Sequence, residues 1–136
     1  VREAGLFGMF GAHANVTDGR YVYMRAPVRA DNGPLFHYTL MPAHMNRAYD
    51  LVDLEGMALA GPLSFTKGSP VMRIRSRPWV DGHAYGTMLF DLKTDPKQER
   101  PIHDEAIESM MIRYLVRLMK WNDAPAEQYE RLGLVQ

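Results

Sequence analysis

Asp104-Glu105-Ala106-Ile107-Glu108-Ser109-Met110-Met111-Ile112-Arg113-Tyr114-Leu115-Val116-Arg117-Leu118-Met119-Lys120-Trp121 decides the fold. Ile107, Met110, Met111, Tyr114, Leu115, Leu118 and Met119 recur at steps of three and four, which places one apolar stripe along a helix. Asp104 suits the N-cap, Glu105 the positive end of the helix dipole, and Arg117 and Lys120 the negative end. Met110, Met111 and Met119 lie on the stripe as core-filling thioethers and need no ligand to explain them. Arg113, Arg117 and Lys120 read as a solvated face. Asn122-Asp123-Ala124-Pro125 breaks this helix and starts another, Pro125 to Leu132, which Gly133 ends.

Upstream the pattern changes to strands. Leu6 to Val16 is apolar with small residues interleaved, and Thr17-Asp18-Gly19-Arg20 supplies a tight turn. Arg20 to Val28 is its partner, with Tyr21, Tyr23 and Arg25 alternating against Val22 and Met24. Asp31-Asn32-Gly33-Pro34 makes a second turn into Leu35 to Met41, a strand stopped by Pro42. Residues 43 to 60 carry Tyr49, Val52 and Met57 at helical spacing, with Gly56 and Gly61 as interruptions, and predict a short helix. Val71 to Arg77 alternates arginines against Met72 and Ile74. Pro78 to His83 reads as a loop, and Met88 to Leu92 as the last strand. The expectation is a single α+β domain over residues 1–136: a meander of about four antiparallel strands with the long C-terminal helix packed on one face. The other sheet face is left unclaimed. Gly8, Gly11, Ala12 and Ala14 permit close backbone approach, either to another domain or within a crowded hairpin.

Composition narrows the function classes. Lys plus Arg number 16 and Asp plus Glu number 16 in 136 residues, so the summed field offers no footprint for nucleic acid or an anionic membrane. No apolar run approaches the ~20 residues of a spanning helix. Cysteine is absent, which excludes disulfides and thiolate metal sites and leaves the compartment open. The chain enters an apolar, glycine-punctuated stretch at once after Val1, which reads as a fragment of something longer, or as a processed start.

Catalytic signatures are missing. Ser64, Ser69, Ser76 and Ser109 sit in no nucleophile elbow. His13, His37, His44, His83 and His103 show no metal-ligand spacing, and the acids do not form a calcium loop. Gly5, Gly8 and Gly11 precede a strand-like segment instead of opening a helix, so no phosphate loop is indicated. Asn15-Val16-Thr17 is formally a glycosylation acceptor, but its place against the turn gives the simpler account.

One tract is more telling. Leu89-Phe90-Asp91-Leu92-Lys93-Thr94-Asp95-Pro96 ends a strand in two spaced carboxylates and a proline, and Asp91 and Asp95 are placed to accept backbone N–H bonds in a structural turn. The tract resembles the L-[YF]-D-L-x-x-D-P turn near the carboxy terminus of sulfatases. In the same order, Asn15-Val16-Thr17-Asp18-Gly19-Arg20-Tyr21 resembles the strand and turn that open the sulfatase carboxy-terminal subdomain. Tyr38-Thr39-Leu40-Met41-Pro42 and Ser64-Phe65-Thr66-Lys67-Gly68 resemble segments of a bacterial-type, arylsulfatase-like subgroup. Asn122-Asp123-Ala124-Pro125 and Tyr129-Glu130-Arg131-Leu132-Gly133-Leu134 extend the likeness over nearly the whole chain. Gln98-Glu99-Arg100-Pro101 departs from it, since many sulfatases carry Glu followed by Asn there.

The resemblance implies an alkaline-phosphatase-like parent whose N-terminal catalytic domain carries a C-x-P-S-R or related motif with its formylglycine, and a calcium ion. This stretch would then hold neither catalytic residue nor metal ligand and would be inactive alone. It implies two roles: packing that completes the parent fold, and loops that line a pocket for a sulfate ester. His13, Asn15, His44 and Lys67 are the substrate-binding candidates, being polar residues at strand ends and in glycine-flanked loops. Each has a plainer reading: His13 and Asn15 satisfying backbone groups, His44 capping the segment after Pro42, and Lys67 solvated. The alternative for the whole chain is a non-catalytic protein-interaction module docking through its open sheet face.

Overall fold

The structure, a computed structural model, describes residues 2–41, 43, 44 and 46–135. The strands are β1 (Gly5–Phe7), β2 (Ala14–Thr17), β3 (Tyr21–Arg25), β4 (Phe36–Thr39), β5 (Ala58–Ala60), β6 (Val71–Arg75) and β7 (Met88–Asp91). The helices are α1 (Gly82–Tyr85), α2 (Glu105–Trp121) and α3 (Ala126–Leu132), and single 3-10 turns span Leu51–Leu54 and Ser64–Thr66. Two compact units result: Val1–Pro34 with Pro78–Gln136, and Leu35–Arg77. Among the described residues no helix is long and apolar enough to cross a membrane.

In the first unit the sheet runs β1-β2-β3-β7, antiparallel throughout. The β2–β3 turn forms because Asp18 Oδ1 accepts the N–H groups of Arg20 (2.9 Å) and Tyr21 (2.7 Å), while Gly19 takes the positive φ of 93°. Tyr21, Tyr23, Val16 and Leu89 meet Met111, Leu115 and Met119 of α2 in one buried cluster, with Ile107, Met110, Tyr114 and Leu118 packed around it. That is the predicted stripe, used as predicted. Asp104 caps α2 by accepting the N–H of Ala106 and of Ile107, each at 3.0 Å. Gly133 ends α3 at φ 60°, and a Cβ there would lie 2.6 Å from Val28 Cγ1, so glycine is required twice over.

The predicted architecture needs correction in four places. Leu6 to Val16 is not one strand: Gly8 (φ 149°) and Gly11 (φ 73°) turn it into the β1–β2 hairpin. The strands near residues 35 and 71 do not join this sheet but form a second one, β4-β6-β5, also antiparallel. Between residues 43 and 60 the expected helix shrinks to the turn Leu51–Leu54, and Ala58–Ala60 extends as an edge strand, because small residues beside β6 leave the backbone free to pair. The strand stop at Pro42 lies outside the described residues. The open sheet face is also less open than expected: Val22 and Phe90 are cross-strand partners whose side chains alternate away from the α2 cluster, yet each is only 4% exposed.

Candidate functional site

The two turns quoted above meet in space. Arg20 grips Asp91 with Nη2 on Oδ2 at 2.9 Å and Nε on Oδ1 at 3.3 Å, and the Arg20 carbonyl receives the Leu92 N–H. Asp91 Oδ1 also accepts the Lys93 N–H (3.0 Å), and Asp95 Oδ2 accepts the Arg100 N–H (2.8 Å). The Arg20 guanidinium beside Asp91 holds its carboxyl below the usual carboxylate range. Gln98 takes φ 57° and donates its N–H to the Asp95 carbonyl, so the departing Gln98–Pro101 segment still closes onto Asp95. This corner is a structural clasp with both carboxylates committed to donors.

His13 and Asn15 sit on the same hairpin. His13 is buried with Nε2 2.8 Å from the Gly86 carbonyl, which ties the β1–β2 turn to the end of α1. Gly8 packs so closely that a Cβ would lie 2.9 Å from the His13 carbonyl. Asn15, 7% exposed, carries a buried Oδ1 with no hydrogen-bond partner, an arrangement that native folds keep rare. Behind this turn Arg131 of α3, 4% exposed, donates to the carbonyl of Ala12 and to side-chain oxygens of Asn32 and Gln128. Burial pushes the guanidinium pKa down to about 10.

His44 and Lys67 belong to the Leu35–Arg77 unit. Lys67 is exposed and follows Ser64–Thr66 in the left-handed region at φ 52°, in a loop pinned by Thr66 Oγ1 against Leu63 and Ser69. His44 stacks on Tyr49 at 4.2 Å between ring centroids, and its buried Nε2 stops 3.6 Å from Asp53 Oδ2 without a hydrogen bond. His37 meets His44 edge-on at 6.5 Å, and His37 Nε2 lies 2.8 Å from Ser76 Oγ. A hydroxyl at that distance from an imidazole has the reach of a nucleophile and its base, but the cluster turns its carboxylate, Asp53, toward His44. Sequence reading missed this group, because Ser76 and His37 lie 39 residues apart with no motif around either.

The folded state resists protonating His37. Burial is the larger cause and His44 adds to it, with Asp53 pulling the other way. An unfolded chain binds that proton at the ordinary imidazole pKa, about 6.5, so it holds more protons than the folded chain just below that pH. Stability is therefore expected to fall as pH drops through about 6.5. Urea unfolding at pH 7.5 and 5.5 measures the loss, which His37→Gln should reduce. A His37→Gln protein with the full wild-type pH dependence would contradict the assignment.

Among the described residues no group of three or more His, Asp or Glu side chains could hold a metal ion. No protein-family model, no curated protein and no solved structure matches the chain.

Proposed function

We propose that this α+β chain is the carboxy-terminal part of a sulfatase, a sulfuric ester hydrolase. In this reading it completes the parent fold, and its substrate-binding candidates are His13 and Asn15 on the β1–β2 hairpin and, separately, His44 and Lys67 in Leu35–Arg77. The supporting observation is the Arg20–Asp91 clasp. It joins the Asp18-Gly19-Arg20 turn and the Leu89-to-Pro96 tract, the two stretches that carry the likeness best, into one bonded corner across 71 residues of sequence. A short apolar edge is in keeping with docking to the catalytic domain of the same parent chain: Leu6, Phe7, Met9 and Phe10 are all exposed along β1 and the turn after it.

The division of labour follows. The nucleophile and metal belong to the N-terminal catalytic domain of the parent, and this chain, with no cysteine, supplies donors and shape. The Asn15 amide and the Lys67 ammonium are suited to sulfate oxygens, as N–H donor and as charge. The expected result is that the isolated 136 residues show no turnover of an aryl sulfate above buffer, while the full-length gene product hydrolyses it. Metal-dependent turnover by the 136 residues alone would overturn the reading. So would a gene that encodes nothing ahead of this stretch.

A further inference from the structure

Arg131 is a buried cation whose bonded partners are neutral: Nε donates to Gln128 Oε1 at 2.9 Å, Nη1 to Asn32 Oδ1 at 2.7 Å, and Nη1 and Nη2 to the Ala12 carbonyl at 3.2 and 3.3 Å. Burying a guanidinium on dipoles is costly unless the geometry is closely satisfied. Asn32, 3% exposed, completes it by turning its other end to the hairpin, with Nδ2 donating to the Gly11 carbonyl at 2.6 Å. Its backbone adopts φ 53°, a conformation that asparagine tolerates better than most residues. The Arg131 carbonyl accepts the Val28 N–H, and the Asn32 N–H bonds the Arg29 carbonyl, so both side chains are mounted on fixed backbone. The two carbonyls held are those immediately before His13.

We infer that Asn32 and Arg131 are positioning residues which clamp the Gly11 and Ala12 carbonyls and so fix the hairpin that carries the buried His13 and Asn15. This rests on the reading above that takes His13 and Asn15 as substrate-binding candidates. The clamp needs an amide at position 32 because one group must accept from the guanidinium while the other donates to the carbonyl. Glutamine at 128 only completes the guanidinium.

Asn32→Asp separates positioning from stability. A carboxylate gives Arg131 a stronger, charge-assisted acceptor, so the fold keeps its stability. The same carboxylate cannot donate to Gly11 and repels its carbonyl, which releases the hairpin. In the full-length gene product the expected result is a KM for an aryl sulfate raised about tenfold with kcat within about twofold, the size of one lost buried hydrogen bond. Amide hydrogen exchange over residues 8–15 should quicken by a similar factor, with the melting temperature held. Unchanged exchange at residues 8–15 overturns the clamp whether or not any sulfate ester is turned over. Quickened exchange with an unchanged KM keeps the clamp but removes its role toward substrate. A wild-type product that leaves every sulfate ester intact removes the sulfatase reading alone, since the exchange measurement stands apart from it.

Discussion

Ile74→Ala is expected to unfold residues 35–77 locally under conditions where the rest of the chain stays folded. Ile74 lies in β6, the central strand of the β4-β6-β5 sheet, and is 0% exposed. Among the described residues of that unit, only Leu35, Val71 and Thr66 share its buried state. Removing three carbons from such a position costs about 3 to 4 kcal/mol, as lost transfer energy plus the cavity left behind. A unit this small has little stability in reserve. Hydrogen exchange reads the outcome directly: amides of β4 and β6 should lose protection to near the unstructured level, while those of β2, β3 and α2 keep theirs. Retained protection at β6 would show that the sheet is held by something other than its own core.

Leu115→Ala should lower the unfolding free energy of the first unit by about 3 kcal/mol. Leu115 is fully buried in the cluster where α2 lies across Val16, Tyr23 and Leu89, and its neighbours Met111 and Met119 are one turn away on either side. Methionines can swing into part of the void, which keeps the cost below the upper end for such truncations. A shift of the urea midpoint with an unchanged slope is the expected signature. A loss under about 1 kcal/mol would mean that the α2 stripe is not the main contact of this sheet.

The helix was legible because its apolar residues recur with the helical period and its cap is a local feature; Asp104 and Leu115 need no knowledge of the rest of the chain. The β2–β3 hairpin was legible for the same reason, since Asp18 and Gly19 specify the turn by themselves. The partition into two sheets was not. Phe36–Thr39 and Val71–Arg75 look as extended as Tyr21–Arg25, and which strand pairs with which is settled by contacts far apart in sequence. The hairpin hidden in Leu6 to Val16 left a trace, the glycines at 8 and 11, which a strand reading absorbed too readily. Of the four proposed substrate contacts, His13 and Asn15 share the β1–β2 hairpin, while His44 and Lys67 belong to Leu35–Arg77. The Asn32–Arg131 clamp could not be seen at all, because an arginine beside Leu132 on a short helix looks like any solvated arginine.

The split unit has a consequence for biosynthesis. Strand β3 finds its partner β7 only after residues 35–77 have been made, with Tyr21 opposite Asp91. Leu35–Arg77 is contiguous, so all three of its strands leave the ribosome before β7 does. Until Met88–Asp91 and α2 follow, the earlier hairpins carry an unpaired edge at β3 and lack the helix that covers Tyr21 and Tyr23. A nascent chain whose Arg77 has just cleared the exit tunnel thus presents one finished sheet and one sticky, half-built sheet, and it is this second sheet that a ribosome-associated chaperone would be called on to shield.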